Sequence, residues 1–187
     1  HMSGGRHPLR RDGARLGDLV CVSGPLGASE AGRALLDRRA STTEHAAALR
    51  RAHRRPLPRL AIGTALADLP AHSAMDCSDG LALDALRMAQ ASQVAITIRL
   101  DDVPRAEGVD AVARQLQRAP DEFAATGGED YELIFCIAPD QLDACRAALQ
   151  PHAPAGWELP IVVGSVGAGP GALRLERAGA PVVLPAL

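Results

Sequence analysis

Residues 73–100 read SAMDCSDGLALDALRMAQASQVAITIRL, and the order of elements in that stretch decides the fold. Ser73 to Met75 is a short strand, Asp76 to Gly80 a polar turn, Leu81 to Gln90 a run with helical spacing, and Val94 to Leu100 a β-branched strand. A strand that turns into a helix and returns as a strand is the crossover unit of sheets flanked by helices. Upstream, Asp18 to Ser23 is an apolar strand stopped by Gly24-Pro25. Ala28 to Arg39 follows as a helix, with Ala31, Ala34 and Leu35 on one face and Arg33, Asp37 and Arg38 on the other. A second helix, Thr43 to Ala52, opens with the capping-box-like Ser41-Thr42-Thr43-Glu44. A third runs from Arg59 to about Asp68, after Pro56-Leu57-Pro58. Downstream, a helix at about Val109 to Arg118 leads into a polar linker, and Tyr131 to Ala138 is a strand. Pro139 opens a helix over Asp140 to Leu149, and His152 to Glu158 is a Pro/Gly loop. The remaining strands are Pro160 to Val166, Leu173 to Arg177 and Pro181 to Leu184, the last two joined by Ala178-Gly179-Ala180.

Composition agrees with this reading. A hydrophobic share of 47% over 187 residues supplies one good core, and an aromatic share of 2% means that Ala, Leu, Val and Ile must build it. The expectation is α/β: a single domain with a mixed β-sheet flanked by helices. A net charge of −2, with no basic stripe interleaved with aromatics, argues against nucleic acid as the main partner. No apolar run approaches the ~18–20 residues that cross a bilayer, so no membrane partner is expected, and no signal peptide is legible. His1-Met2 looks like a tag scar at the head of a flexible arm over residues 1–8, part of a Gly/Arg-rich extended stretch reaching residue 17. Cys21, Cys77, Cys136 and Cys145 form no CxxC pair; they read as reduced core thiols of a cytoplasmic protein and not as a zinc set.

Two acidic turns carry the chemistry. The first is Asp76-Cys77-Ser78-Asp79-Gly80-Leu81. Asp76 at a strand end and Asp79 at a helix start fall on the same side of the sheet, where free helix amides also favour anions. Such a pair can bridge Mg²⁺ to phosphate oxygens; the same residues also suit an ordinary helix cap, with Ser78 as the capping side chain. The second turn is Gly127-Gly128-Glu129-Asp130-Tyr131-Glu132-Leu133. Its glycines suit positive φ or close approach to a ligand. Alternation in the strand that follows puts Tyr131, Leu133 and Phe135 on one face and Glu132 and Ile134 on the other. Three acids in four positions repel one another unless cations intervene, although a charged turn with Tyr131 as a core aromatic fits as well. His53, ahead of Arg54-Arg55-Pro56-Leu57-Pro58-Arg59, suits either phosphate contact or a solvated helix end. His7 and His45 have no obvious partner, Asp101-Asp102 suits a helix cap more than a metal ligand, and Trp157 a hydrophobic plug more than a stacking surface. No Ser/His/Asp nucleophilic set and no Walker-type loop with Lys is present.

Leu9 to Gly24, Pro56-Leu57-Pro58-Arg59 and the two acidic turns together resemble, in order and spacing, the thiamine-monophosphate kinase family of the aminoimidazole-ribonucleotide-synthetase-like superfamily. The resemblance spans roughly residues 9–184, with the Gly-Gly-Glu-Asp-Tyr-Glu-Leu stretch its most specific part. It implies a C-terminal domain over residues 9–187. A separate N-terminal domain, absent from this chain, supplies the nucleotide loop, most Mg²⁺ ligands and the homodimer contact in that family. The resemblance further implies ATP and thiamine phosphate as partners and Mg²⁺ as cofactor. It assigns Asp76 and Asp79 to Mg²⁺, Ser78 to ATP, and Glu129, with Asp130 as the lesser candidate, to thiamine phosphate. The family's aromatic-bearing terminal segment has no counterpart at Pro185-Ala186-Leu187. The chain alone is expected to be inactive; the alternatives are another ATP-dependent kinase or synthetase of the same superfamily, or a non-catalytic binding or assembly module.

Overall fold

In the computed structural model, which describes residues 8–184, strand chemistry and helix amphipathicity resolve into one seven-stranded sheet with helices on both faces. The elements run β1 (Leu19–Val22), α1 (Ala28–Leu36), α2 (Ala46–Arg54), α3 (Leu60–Ala67), β2 (Ser73–Cys77), α4 (Leu81–Ser92) and β3 (Ala95–Arg99). They continue as α5 (Val109–Gln115), α6 (Pro120–Thr126), β4 (Glu132–Ile137), α7 (Leu142–Leu149), β5 (Ile161–Gly167), β6 (Ala172–Arg177) and β7 (Ala180–Val182). The strand order is β2-β4-β1-β5-β3-β6-β7; β3 and β6 pair in parallel and the other neighbours antiparallel.

Alternation along the strands sorts the core into two layers. Val20, Val22 and Ile134 face a layer built with Leu26, Met88 and Phe123 from the α1, α4 and α6 side. Cys21 and Phe135 face the other, packed on Ile62 and Leu66 of α3 and on Leu149 of α7. β1 is apolar at every position because it is covered on both faces, the pattern of an interior strand. All four cysteines are buried and free, and burial pushes the Cys145 thiol up to about 11, so they pack as apolar groups. Among the described residues no helix is long and apolar enough to cross a membrane.

Local expectations failed in three places. The polar linker before the second acidic turn is the helix α6: Pro120 sits at its start, and Phe123, Ala124 and Ala125 are buried. The capping box at Ser41–Glu44 does not form; α2 begins at Ala46 behind His45, with no side-chain cap. The Ser41 N–H donates instead to Gln115 Oε1 across the fold. Where it is described, the extended stretch lies along the fold: the Arg10 carbonyl accepts the Ala74 N–H beside edge strand β2, and the Ala14 N–H donates to Ser92 Oγ. Trp157 is only half-buried and is no core plug. The tag scar, His7 and Pro185-Ala186-Leu187 lie outside the described residues.

Candidate functional site

β2 and β4 are antiparallel neighbours with Cys77 opposite Glu132, so the segment leaving one strand lies against the segment entering the other. The Glu129 N–H donates to the Ser78 carbonyl at 2.8 Å and the Tyr131 N–H to the Cys77 carbonyl at 3.0 Å. A Cβ on Gly128 would lie 2.8 Å from that same Ser78 oxygen, and one on Gly80 would lie 2.9 Å from the Thr126 carbonyl. The close approach made by Gly128 is therefore between two pieces of backbone. Gly127 has φ −69°, and the positive φ falls on Glu129 (69°) and Tyr131 (55°) instead. Left-handed geometry at a residue with a side chain costs on the order of 1 kcal/mol.

The acidic side chains divide between inside and outside. Asp130 turns inward and accepts the N–H groups of Gly27 (2.6 Å) and Ser29 (2.8 Å) at the start of α1, where orphan amides and the helix dipole attract an anion. Burial raises its carboxyl to about 6 against those two amides, and Glu132 and Glu30 add repulsion. Glu132 is 3% exposed and held from three sides. Ser23 Oγ donates to it at 2.5 Å, Arg59 Nε donates at 2.9 Å, and the second Arg59 nitrogen completes the fork. Ser23 Oγ also accepts the Leu133 N–H at 2.7 Å, and Gly24 leaves room for the carboxylate, since a Cβ there would lie 2.6 Å from Oε1.

Glu129, Asp76 and Asp79 remain exposed. Asp79 pairs with Arg87, which also reaches Asp84 at 2.9 Å. Asp84, fully buried in the first turn of α4, accepts the Asp79 N–H at 2.9 Å, and burial raises its carboxyl. Ser78 is thus not the helix cap. α4 starts at Leu81 behind Gly80, Asp84 steadies the turn, and the half-buried Ser78 is tied through its carbonyl to the second turn. The Tyr131 phenol is raised above its ordinary value by Glu129 first and also by Asp76 and Asp79, so the three outward carboxylates share one negative field.

Two cavities flank the joined turns. One of about 470 Å³ is bordered by Pro58, Leu60, Gly63, Asp76, Tyr131 and Leu133. The other, about 620 Å³ and charged, is bordered by Glu30, Arg33, Asp79, Arg118, Thr126 and Gly128. Asp76 and Asp79 leave the same end of β2 but border different cavities. Among the described residues no three or more His, Cys, Asp or Glu converge as a metal set. Two carboxylates are nevertheless what Mg²⁺ commonly takes from protein when phosphates and water complete its shell. Of the Arg/His run, His53 Nδ1 lies 2.9 Å from Ser29 Oγ and Arg59 pairs with Glu132, while Arg55 and Arg59 border a further cavity of about 240 Å³. His45 faces Glu107 at 3.6 Å. Asp101 accepts the Ala178 N–H and Asp102 pairs with Arg99, contacts that close loops.

Residues 15–173 match the family described as AIR synthase related protein, C-terminal domain. The chain belongs to that family. A thiamine-monophosphate kinase of Rhodopirellula baltica is 36% identical over 161 residues, which is 85% of this chain and 43% of that protein. The crystal structure of thiamine monophosphate kinase from Aquifex aeolicus superposes with a TM-score of 0.74 at 33% identity, covering 94% of this chain and 55% of that one. A structure described as AaThiL complexed with AMPPCP and TMP gives 0.74 and 33% again, over 94% and 52%. This AIR synthase related domain therefore spans about half the length of the relatives it matches.

Proposed function

We propose that the chain is the C-terminal, acceptor-holding half of an ATP-dependent kinase that converts thiamine phosphate to thiamine diphosphate. The observation that carries this reading is the division of the two joined turns. Asp130 and Glu132 are consumed by the fold, while Glu129, Asp76 and Asp79 are left outward between an apolar and a charged cavity. Thiamine phosphate offers matching chemistry, a cationic thiazolium with an apolar body and an anionic tail. Relatives at 36–41% identity named thiamine-monophosphate kinase, and the AaThiL complex with AMPPCP and TMP, support the choice of reaction.

In this reading a phosphate oxygen of thiamine phosphate attacks the γ-phosphorus of ATP in line, and the bond from the γ-phosphorus to the β–γ bridging oxygen breaks to release ADP. Both reactants are anions, so positioning and charge screening dominate. Mg²⁺, when bound, supplies that screening. Asp76 and Asp79 would hold it, and Asp79 would then have to share or release Arg87. Ser78, at the seam of the turns, lies beside the nucleotide phosphates. Glu129 faces the thiazolium cation, and Pro58, Leu60 and Leu133 shelter the rings. Asp130, the lesser substrate candidate, acts from behind by fixing the turn on α1. The remaining ligands for nucleotide and Mg²⁺, and the contact that makes a homodimer, would come from a separate N-terminal domain, as the family resemblance implies.

The test is Mg²⁺- and ATP-dependent formation of thiamine diphosphate, by this chain alone and in its full-length context. Product in the full-length context and none from the chain alone is the expected result. No product from thiamine phosphate in either, with ADP released on another phosphorylated or carboxylate acceptor, transfers the site to a sibling reaction of the superfamily.

A further inference from the structure

The fold ties the outward turn to α3 through one buried ion pair, and that tie is more elaborate than stability alone calls for. Arg59, the residue that precedes α3, sends its guanidinium fork onto Glu132 and borders the apolar cavity alongside Tyr131 and Asp76. Glu132 is the first residue of β4, only three positions after Glu129, and it also receives Ser23 Oγ from the end of β1. Replacing a buried ion pair by apolar residues of like volume is often neutral or stabilising. What the fork adds is geometry: a planar bidentate contact fixes direction as well as distance. It sets α3, whose Leu60 and Gly63 border the apolar cavity, against the turn and strand from which Tyr131 and Leu133 border it, with Glu129 two residues ahead of Tyr131.

We propose that Arg59 is a positioning residue for the acceptor, acting through Glu132 to hold the two walls of the apolar cavity in register; this rests on the reading of that cavity and Glu129 as the acceptor site. Neither Arg59 nor Glu132 borders the charged cavity, so loss of the fork is expected to act on the acceptor side. The experiment compares full-length protein carrying Arg59→Met, Arg59→Met with Glu132→Leu, Arg59→Lys, and separately Glu129→Gln. Thermal unfolding is recorded beside KM for each substrate.

The single Arg59→Met leaves Glu132 buried and unpaired and melts early. The double variant regains stability, yet its KM for thiamine phosphate stays raised about 10- to 100-fold, the scale of a small misplacement of reacting groups. Its KM for ATP stays within about twofold of the parent, because the fork does not face the charged cavity. Arg59→Lys, which keeps the charge and loses the fork, raises the same KM to a lesser degree. A stable double variant with parental KM for thiamine phosphate overturns the proposal, as does an unchanged KM in Arg59→Lys. A rise in both substrates' KM together also overturns it, since that marks a general loss of structure. Glu129→Gln separates the two claims: if it leaves KM for thiamine phosphate unchanged, the acceptor reading itself falls. If it raises that KM and the Arg59 variants do not, only the positioning role falls.

Discussion

The two acidic turns look alike in sequence and are used in opposite ways. In Asp76–Gly80 both outward carboxylates are exposed, and the anion that holds the turn is Asp84, from the helix behind it. In Gly127–Glu132 two of the three carboxylates are consumed by the fold, Asp130 by the amides of α1 and Glu132 by Arg59 and Ser23, and only Glu129 is left to solvent. A run of acids is thus not a binding site by count. The site is what remains after the helix starts and buried arginines have taken their share.

Substitutions test that contrast. Glu132→Ala leaves Arg59 without its partner and opens a gap in the core, and is expected to cost about 3–5 kcal/mol in urea unfolding of this chain. A loss below about 1 kcal/mol would place Glu132 with the outward group. Asp130 comes next. Its carboxyl stands at about 6 in the fold against 3.8 for the free side chain, so the folded state binds the proton more tightly. The resulting stability is fully present below about pH 4 and is lost as pH rises through 6, at about 1.4 kcal/mol for each unit separating the two values. Asp130→Asn should flatten that slope in unfolding curves taken from pH 4 to 7, and an unaltered slope would assign it to another group.

Much of this architecture, though not the division of the acids, is readable from local pattern. The strand–turn–helix of residues 73–92 follows from alternation and helical spacing, and the placement of Leu133 and Phe135 opposite Ile134 follows from the strand repeat of two. The partners of Glu132 lie 109 residues away at Ser23 and 73 away at Arg59, and no local rule connects them. The helix α6 was hidden for a related reason: Pro120-Asp121-Glu122 reads as polar linker until Arg177 pairs with both acids and the core takes Phe123.

At the outward residues the expected stability effects are smaller and the functional ones larger. Asp79→Ala gives up an exposed pair with Arg87 and should change unfolding by at most about 1 kcal/mol. Turnover in the full-length context should fall about 100-fold or more as charge stabilisation of the phosphates is lost. Unchanged turnover and Mg²⁺ dependence would remove Asp79 from the site. Smallest of all, Glu129→Gly relieves a left-handed φ of 69° and should stabilise the chain by about 0.5–1 kcal/mol while weakening thiamine phosphate binding. If affinity survives, Glu129 is only a turn residue.

The seam between the turns has a consequence for how this domain can be altered. Gly128 and Gly80 leave no space for a methyl group, and the amides of Glu129 and Tyr131 are pinned to carbonyls of the other loop. Transplanting the substrate preference of a sibling enzyme by exchanging one loop therefore breaks a backbone lattice as well as a side-chain set. The smallest exchangeable tile is both loops together with the strand ends that bear them, and a chimera library cut anywhere inside that tile should be rich in chains that do not fold.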